Sequence, residues 1–156
     1  MSDTVTHRAR SLDHVSVTTT DLDASIAFYR DVLGLALLGR GVADEPEIGE
    51  IMGAEGAHLE WAECDLGRNQ VLELIRFDHP TGRTRRGPLW EPGATHIGIG
   101  VDDIEAVHAR CASAGIETRS GPVTLTEEGD WNGVRVLYAV DPDGTWIELV
   151  QRPRGA

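Results

Sequence analysis

The sequence predicts an α+β fold in which two βαβββ modules form an open, curled mixed sheet. The first reason is an internal repeat: residues 12–29 (LDHVSVTTTDLDASIAFY) are matched, 82 positions later, by residues 94–111 (ATHIGIGVDDIEAVHARC). The second is that residues 71–77 (VLELIRF) are matched, 75 positions later, by residues 146–152 (WIELVQR). In both copies a hydrophobic period of two gives way to a period between three and four, as expected where a strand leads into a helix.

In the first module, residues 13–19 alternate between apolar and polar, as a half-buried strand requires. Asp21 is predicted to cap a helix that Gly34 ends, since a short polar side chain favours a helix start and glycine a helix end. Three more strands are expected at residues 35–42, 57–65 and 70–77. The acidic segment between the second and third strands, residues 44–56, is predicted to be a solvated connection.

The second module repeats this order. Residues 96–101 alternate, Asp103 is the predicted helix cap, and the helix ends near Gly115. Its remaining strands are expected at residues 116–120, 133–140 and 145–151. Gly144, in the sequence DPDG, fits a tight turn that needs a positive φ angle.

A chain of 156 residues fits one compact domain. The predicted boundaries are residues 1–11 for a polar tail, 12–78 for the first module, 79–93 for a linker and 94–152 for the second module.

Composition narrows the function classes. The formal net charge of −12 repels polyanions, which argues against nucleic acid and anionic membranes as partners. Cys64 and Cys111 are single and far apart, and the polar start of the chain has no apolar segment typical of a signal peptide. No stretch has the roughly 18 apolar residues that cross a bilayer. We therefore expect a cytoplasmic protein.

Strand parity indicates a site. The apolar residues of each strand must face the helix of their module, so the residues between them lie on the opposite, concave face. The chemically active side chains predicted on this face are His14, Glu73, His96 and Glu148. Gly98 and Gly100 fall on the same face, where the lack of side chains leaves room for a small molecule.

Glu73 and Glu148 each lie within an apolar strand. Burying an unpaired carboxylate is unfavourable by several kcal/mol, so each needs a cation, a shared proton, or exposure at a sheet edge. An arginine such as Arg76 or Arg135 could supply the positive charge. The repetition of both the histidine and the glutamate favours a metal ion instead.

These segments resemble the vicinal oxygen chelate superfamily, which includes glyoxalases, bleomycin-resistance proteins and extradiol dioxygenases. The resemblance covers about residues 11–152. It is carried by LDHVSVTTTDLDASIAFYRDVLGL, LELIRF, THIGIGVDDIEAV and GVRVLYAVDPDGTWIELVQ. It implies two half-barrel modules, a homodimer, and one metal ion held by the equivalents of His14, Glu73, His96 and Glu148.

Two imidazoles and two carboxylates suit divalent Zn, Ni, Co, Mn or Fe. Such a site is expected to chelate a small substrate through adjacent oxygens and to transfer a proton through a metal-stabilised enolate, as a glyoxalase-like lyase or an epimerase or isomerase does. By analogy with glyoxalase I-like relatives, Glu148 or Glu73 is the expected base. Methylmalonyl-CoA epimerase uses a further glutamate, for which Glu55 and Glu60 are the candidates here.

Two other functions stay open from the sequence. One is a non-catalytic small-molecule (antibiotic-type) binding protein, for which Trp131 and Trp146 could offer stacking surfaces. The other is an Fe(II) extradiol-type dioxygenase, although a fourth protein ligand would occupy a position that oxygen or a catechol needs. A basic cluster in the linker could bind a substrate phosphate, but solvation is the expected role of these residues, Arg83, Arg85 and Arg86.

Overall fold

Each half of the repeat folds into one four-stranded mixed sheet with a helix after its first strand. The structure is a computed structural model that describes residues 11–84 and 87–153; the predicted tail, except residue 11, and Arg85 and Arg86 lie outside it. The first module contains β1 (His14–Thr18), α1 (Leu22–Ile26), β2 (Ala36–Ala43), α2 (Pro46–Met52), β3 (His58–Gly67) and β4 (Gln70–His79). The second contains β5 (His96–Gly100), α3 (Ile104–Ser113), β6 (Val123–Thr124), β7 (Arg135–Val140) and β8 (Trp146–Gln151).

The two sheets have the same topology. Their strand orders are β1-β4-β3-β2 and β5-β8-β7-β6. In each sheet the first strand is parallel to the last one, and the other pairings are antiparallel. The α+β class and the two βαβββ modules are therefore confirmed. Each predicted histidine lies on a strand at one edge of its sheet, and each predicted glutamate lies on the strand next to it.

The helix caps follow the prediction. The side chains of Asp21 and Asp103 accept hydrogen bonds from the backbone N–H groups of Ala24 and Ala106, both at 3.0 Å. The first helix then widens into a π-helix at Ala27–Val32, a feature that hydrophobic spacing does not reveal. None of the helices in the described ranges has the length and apolarity needed to span a membrane.

Two predicted segments differ from the structure. The expected connection at residues 44–56 contains α2, because Pro46 suits a first helical turn and Gly53 ends the helix at a φ of 64°. The strand expected at residues 116–120 is wrong. The segment forms an isolated bridge between Thr118 and Ala139, with backbone hydrogen bonds on either side of it, and β6 forms further along the chain.

The helix-facing sides of the two sheets share one hydrophobic core. Leu72 and Leu74 of the first sheet and Ile147 and Leu149 of the second are completely buried in it, together with α1 and α3. This confirms the predicted strand parity. It also means that the concave faces of the two sheets are turned away from their common core.

Polar contacts join the modules at one end of this core. The turn before β8 inserts Asp143 against the end of β1, where its carboxylate accepts hydrogen bonds from Thr19 and from the backbone and side chain of Thr20. The buried hydroxyl of Tyr29 donates to Asp141 at 3.1 Å. These contacts fix how one module packs on the other within a chain.

Candidate metal-binding site

The first histidine and glutamate of the repeat meet on the concave face of the first sheet. Strand β1 runs parallel to β4 with Ser16 beside Glu73, which places His14 diagonally across from that glutamate. His14 Nε2 lies 3.6 Å from Glu73 Oε2, and the two side chains are 49% and 27% exposed. We call these two residues the first pair.

The second module contains an equivalent histidine and glutamate, and the residue next to this glutamate is a glycine. Gly98 of β5 lies beside Glu148 of β8, and a Cβ on this glycine would lie 3.6 Å from Glu148 Oε2. His96 Nε2 is 3.4 Å from the same oxygen, and the two side chains are 43% and 18% exposed. His96 and Glu148 form the second pair.

The single chain does not unite the two pairs. Within residues 11–84 and 87–153, no three His, Cys, Asp or Glu side chains lie close enough together to hold a metal ion. The reason is the packing of the modules, because each pair lies on a sheet face turned away from the shared core. The arrangement expected from the repeat, with four ligands around one point, is therefore present in one chain only as two separate halves.

Each half has the geometry of a ligand pair. Two donors bound at about 2.1 Å to one ion, in adjacent octahedral or tetrahedral positions, lie about 3.0–3.4 Å apart. The observed separations of 3.6 and 3.4 Å need little movement to reach this value. Imidazole nitrogen with carboxylate oxygen is also a donor set suited to divalent transition metals. The residues present therefore fit a divalent ion.

The arginines considered as partners are engaged elsewhere. Arg76 contacts Glu60 at 3.2 Å, and Arg135 forms an ion pair with Glu105. Neither arginine is therefore the partner of Glu73 or Glu148.

The ring nitrogen of His14 that faces away from Glu73 has its own carboxylate. Asp13 Oδ1 lies 2.9 Å from His14 Nδ1, and this hydrogen bond is the main cause that raises the pKa of His14. When Nδ1 carries the ring proton, the lone pair of Nε2 is free to bind a metal ion. Nε2 is the nitrogen that points towards Glu73. Asp13 is almost fully exposed, so the contact orients the ring more than it stabilises the fold.

In the second module, a tyrosine stands next to both members of the pair. Tyr138 of β7 lies directly opposite Glu148, and its ring stands edge-on to His96 with centroids 5.5 Å apart. Burial and the neighbouring Glu148, to which the hydroxyl is hydrogen-bonded, raise the pKa of Tyr138. A protonated phenol therefore restrains the carboxylate of the second pair.

The corresponding position of the first module holds Glu63, directly opposite Glu73 on β3. Glu63 was not predicted. The candidates predicted from the sequence were Glu60, which the alternation of β3 puts on the other face, and Glu55, which is exposed in the loop before that strand. The missing information was the register of the hairpin, which a two-residue turn at Arg68 and Asn69 sets.

The concave face of the second sheet opens on a cleft of about 980 Å³ whose lining includes Gly98, Gly100 and Glu148. This agrees with the room predicted from the two glycines. Trp131, 39% exposed, also lines the cleft, with Arg152 over its ring at 4.9 Å. Trp146 is buried and donates from its indole nitrogen to the backbone, so it is a packing residue rather than a stacking surface.

The matching protein-family model is the Glyoxalase/Bleomycin resistance protein/Dioxygenase superfamily, over residues 11–149. The chain belongs to this family. It is 29% identical to a lactoylglutathione lyase of Schizosaccharomyces pombe over 97% of its own length, and it spans about half (51%) of that relative. It is 30% identical to a 2-epi-5-epi-valiolone epimerase of an Actinomyces species, covering 95% of this chain and 82% of the epimerase.

A solved structure supports the fold. A glyoxalase family protein of Bacillus cereus superposes with a TM-score of 0.81, covering 95% of this chain and 97% of that one, at 24% identity. At this identity the likeness establishes the architecture. The lyase and epimerase names of the relatives indicate the chemistry that the family can support.

Proposed function

We propose that this protein is a divalent-metal-dependent enzyme of the lyase or epimerase and isomerase type, which moves a proton on a small substrate chelated through adjacent oxygens. The observation that carries the proposal is the pair of equivalent His–Glu contacts, each with ligand spacing and each on an open sheet face. Two free, buried cysteines are in keeping with a cytoplasmic protein.

We further propose that the active unit is a homodimer in which the first pair of one chain faces the second pair of its partner. Both histidines lie on edge strands, β1 and β5, beside which the described residues place no further strand. A second chain can therefore approach these edges without breaking a sheet. Such an assembly supplies the two missing ligands to each half site.

A bound divalent ion would hold the substrate oxygens and stabilise the negative charge that develops when a neighbouring C–H proton is removed. Glu73 or Glu148 is the proposed acceptor of that proton. Glu63 is a second carboxylate on the face of Glu73, so the site has a carrier to remove a proton and another to return one. Two carriers allow a proton to be removed from one face of a carbon and returned to the other, as in a two-base epimerase.

Metal analysis tests the site. Purified protein equilibrated separately with Zn, Ni, Co, Mn and Fe should retain one ion per chain, and His14→Ala and His96→Ala should each abolish retention. Solvent-deuterium uptake, followed by NMR across 2-oxo acids, 2-hydroxy acids and acyl thioesters, then tests proton transfer. Metal retention without exchange on any of these compounds would contradict the enzymatic proposal.

A mixed dimer tests the assembly. One chain carries His14→Ala with Glu73→Gln, the other carries His96→Ala with Glu148→Gln, and two different affinity tags isolate the heterodimer. Each homodimer should bind no ion, whereas the heterodimer should bind one, because only there do an intact first pair and an intact second pair meet. A heterodimer without metal would contradict a shared site.

The same preparations separate the alternative functions. Full-affinity binding of a small molecule by metal-free protein would indicate a non-catalytic binder. Oxygen uptake with a catechol and iron-loaded protein would indicate ring cleavage. We expect neither result, because the proposed metal ion has four protein ligands and a proton carrier lies beside them.

A further inference from the structure

Two arginines, one from each module, line the cleft on the second sheet. Arg68 lies in the two-residue turn between β3 and β4, and Arg152 directly follows β8. Gly98 and Glu148 line the same cleft of about 980 Å³. The cleft is therefore bounded by both modules, and each module contributes one positively charged side chain to it.

Neither guanidinium group is used in an ion pair. Among the residues that the structure describes, no carboxylate lies within ion-pair distance of Arg68 or Arg152. Asp102 also lines the cleft, but it pairs with neither arginine. Both arginines are thus available to bind a negatively charged ligand, although the chain as a whole has a formal net charge of −12.

Arg152 is held by two contacts from the neighbouring loop. Its guanidinium carbon lies 4.9 Å from the centre of the Trp131 ring, and its Nη1 donates a hydrogen bond at 3.4 Å to the backbone oxygen of Asp130. A guanidinium group has several N–H donors, so most of them stay available for a ligand. Stacking on the ring restrains the group, and less conformational entropy is therefore lost when an anion binds.

Arg68 has a backbone conformation that its residue type adopts rarely. Its φ is 55°, in the left-handed region that glycine, asparagine and aspartate adopt most readily. Asn69, with a φ of 59°, is an ordinary residue for such a turn, whereas an arginine before it is not. The turn itself does not explain the arginine. A residue kept in an unfavourable conformation points to a function of its side chain, here the positive charge at the cleft.

The backbone of Arg152 is far from the second pair. Arg152 is four residues beyond Glu148, which corresponds to about 13 Å along an extended strand. Val150 lies between them on the same face and also lines the cleft. A chelating group of a few atoms held at Glu148 does not span this distance. The cleft has room for a second ligand beyond the proposed chelate.

We propose that Arg68 and Arg152 form a binding site for a small oxyanion of the phosphate class, separate from the metal-chelating site. Guanidinium groups bind phosphate oxygens through paired hydrogen bonds, and a tetrahedral anion can accept such bonds from two arginines at once. Two positive charges also balance a doubly charged phosphate better than a singly charged carboxylate. An anion bound by both side chains links the two modules across the cleft. The inference is independent of the proposed metal chemistry, because it concerns metal-free protein as well.

The test uses inorganic phosphate and metal-free, ¹⁵N-labelled protein at constant ionic strength. The indole resonance of Trp131, assigned with Trp131→Phe, should shift on addition of phosphate, because the anion binds the guanidinium group stacked on that ring. Calorimetric titration gives the dissociation constant. Arg152→Gln and Arg68→Gly should each weaken phosphate binding at least about tenfold, since each removes charge-assisted hydrogen bonds.

Three features of the chain control this experiment. Arg30→Gln removes the same charge from an exposed arginine that pairs with Asp31 outside the cleft, and it should leave phosphate binding unchanged. Asp102→Asn should strengthen phosphate binding by a few fold, because it removes a negative charge that repels the anion. Arg68→Gly is compatible with the fold, since glycine adopts a positive φ without strain.

The outcomes decide both the site and its separation from the chelate. No phosphate-dependent shift, or an equal loss of affinity in Arg30→Gln, would overturn the site. A loss of affinity in Arg152→Gln without one in Arg68→Gly would overturn the sharing of the anion between modules. Phosphate should bind zinc-loaded protein saturated with acetohydroxamate, which chelates through adjacent oxygens, as tightly as it binds metal-free protein. Mutual exclusion of the two ligands would overturn the separate site and assign the arginines to the chelated substrate.

Discussion

The two modules share a fold and a ligand pattern but differ in what stands next to each ligand pair. Opposite its glutamate, the first module has a second carboxylate, Glu63, and the second module has a phenol, Tyr138. Along the histidine strand itself, the first module has hydroxyl side chains where the second has glycines. The proposed metal-binding residues are therefore the same in both modules, while the residues next to them differ. We expect both modules to bind the metal, the first module to add a second proton carrier, and the second module to leave space for the substrate.

The largest expected effect of this difference is catalytic. Glu63→Gln should lower the rate of solvent-deuterium exchange by about 10²-fold or more, because a proton carrier is lost, while metal content stays unchanged. The measurement is exchange by NMR on metal-loaded protein. Glu60→Gln is the matched control on the same strand, since Glu60 contacts Arg76 away from the site. Equal rates in the two variants would remove Glu63 from the reaction.

The turns of the two modules also differ, and we expect a large effect on stability. Asp143 of the second module reaches across to Thr19 and Thr20, whereas Asp65 of the first accepts a hydrogen bond from the nearby backbone N–H of Gly67. Asp143→Ala should lower the free energy of unfolding by about 2–3 kcal/mol, since charged hydrogen bonds between modules are lost. Asp65→Ala should lower it by about 1 kcal/mol or less. Urea unfolding measures both, and similar losses would contradict a module-joining role for Asp143.

The sequence was sufficient for the features that depend on local pattern. Alternation along β4 and β8 assigns Glu73 and Glu148 to the face opposite the core, because successive strand residues point to opposite sides. The same holds for the caps Asp21 and Asp103, whose short side chains precede helical spacing. Both kinds of prediction need only a few neighbouring residues.

Features that depend on contacts between distant segments could not be predicted. Glu63 reaches Glu73 only through the hairpin register, and the turn that sets it places Arg68 and Asn69 at positive φ without the usual glycine. The placement of one module on the other depends on contacts such as that of Asp143 with Thr20, which are far apart in sequence. No periodicity within either module encodes that placement, and so the sequence leaves open whether the four ligands meet within one chain or across a dimer interface.

A smaller effect is expected on metal affinity. Tyr138→Phe removes the hydroxyl that hydrogen-bonds Glu148, and loss of such an outer contact weakens metal binding by about tenfold or somewhat more. Competition with a chromophoric chelator measures the change. Tyr29→Phe is the control, because that hydroxyl donates to Asp141 in the core and should affect stability without changing metal affinity. A loss of metal affinity in both variants would point to a general loosening of the fold.

The smallest effect concerns pH. Asp141 is buried in the second module, where the first module has Leu66 at the equivalent position, and burial raises the pKa of Asp141. The folded chain then binds this proton more tightly than the unfolded chain, so the contribution of Asp141 to stability is greatest below its ordinary pKa of 3.8 and is lost as the pH rises through the higher folded value. The stability of the wild type relative to Asp141→Asn should therefore fall as the pH rises from about 4 towards neutrality, because deprotonation of the buried carboxyl is unfavourable. Urea unfolding of both proteins across this range measures the difference in stability. If the wild type instead gains stability relative to Asp141→Asn as the pH rises, the hydrogen bonds that Asp141 accepts from Tyr29 and from backbone N–H groups lower its pKa by more than burial raises it.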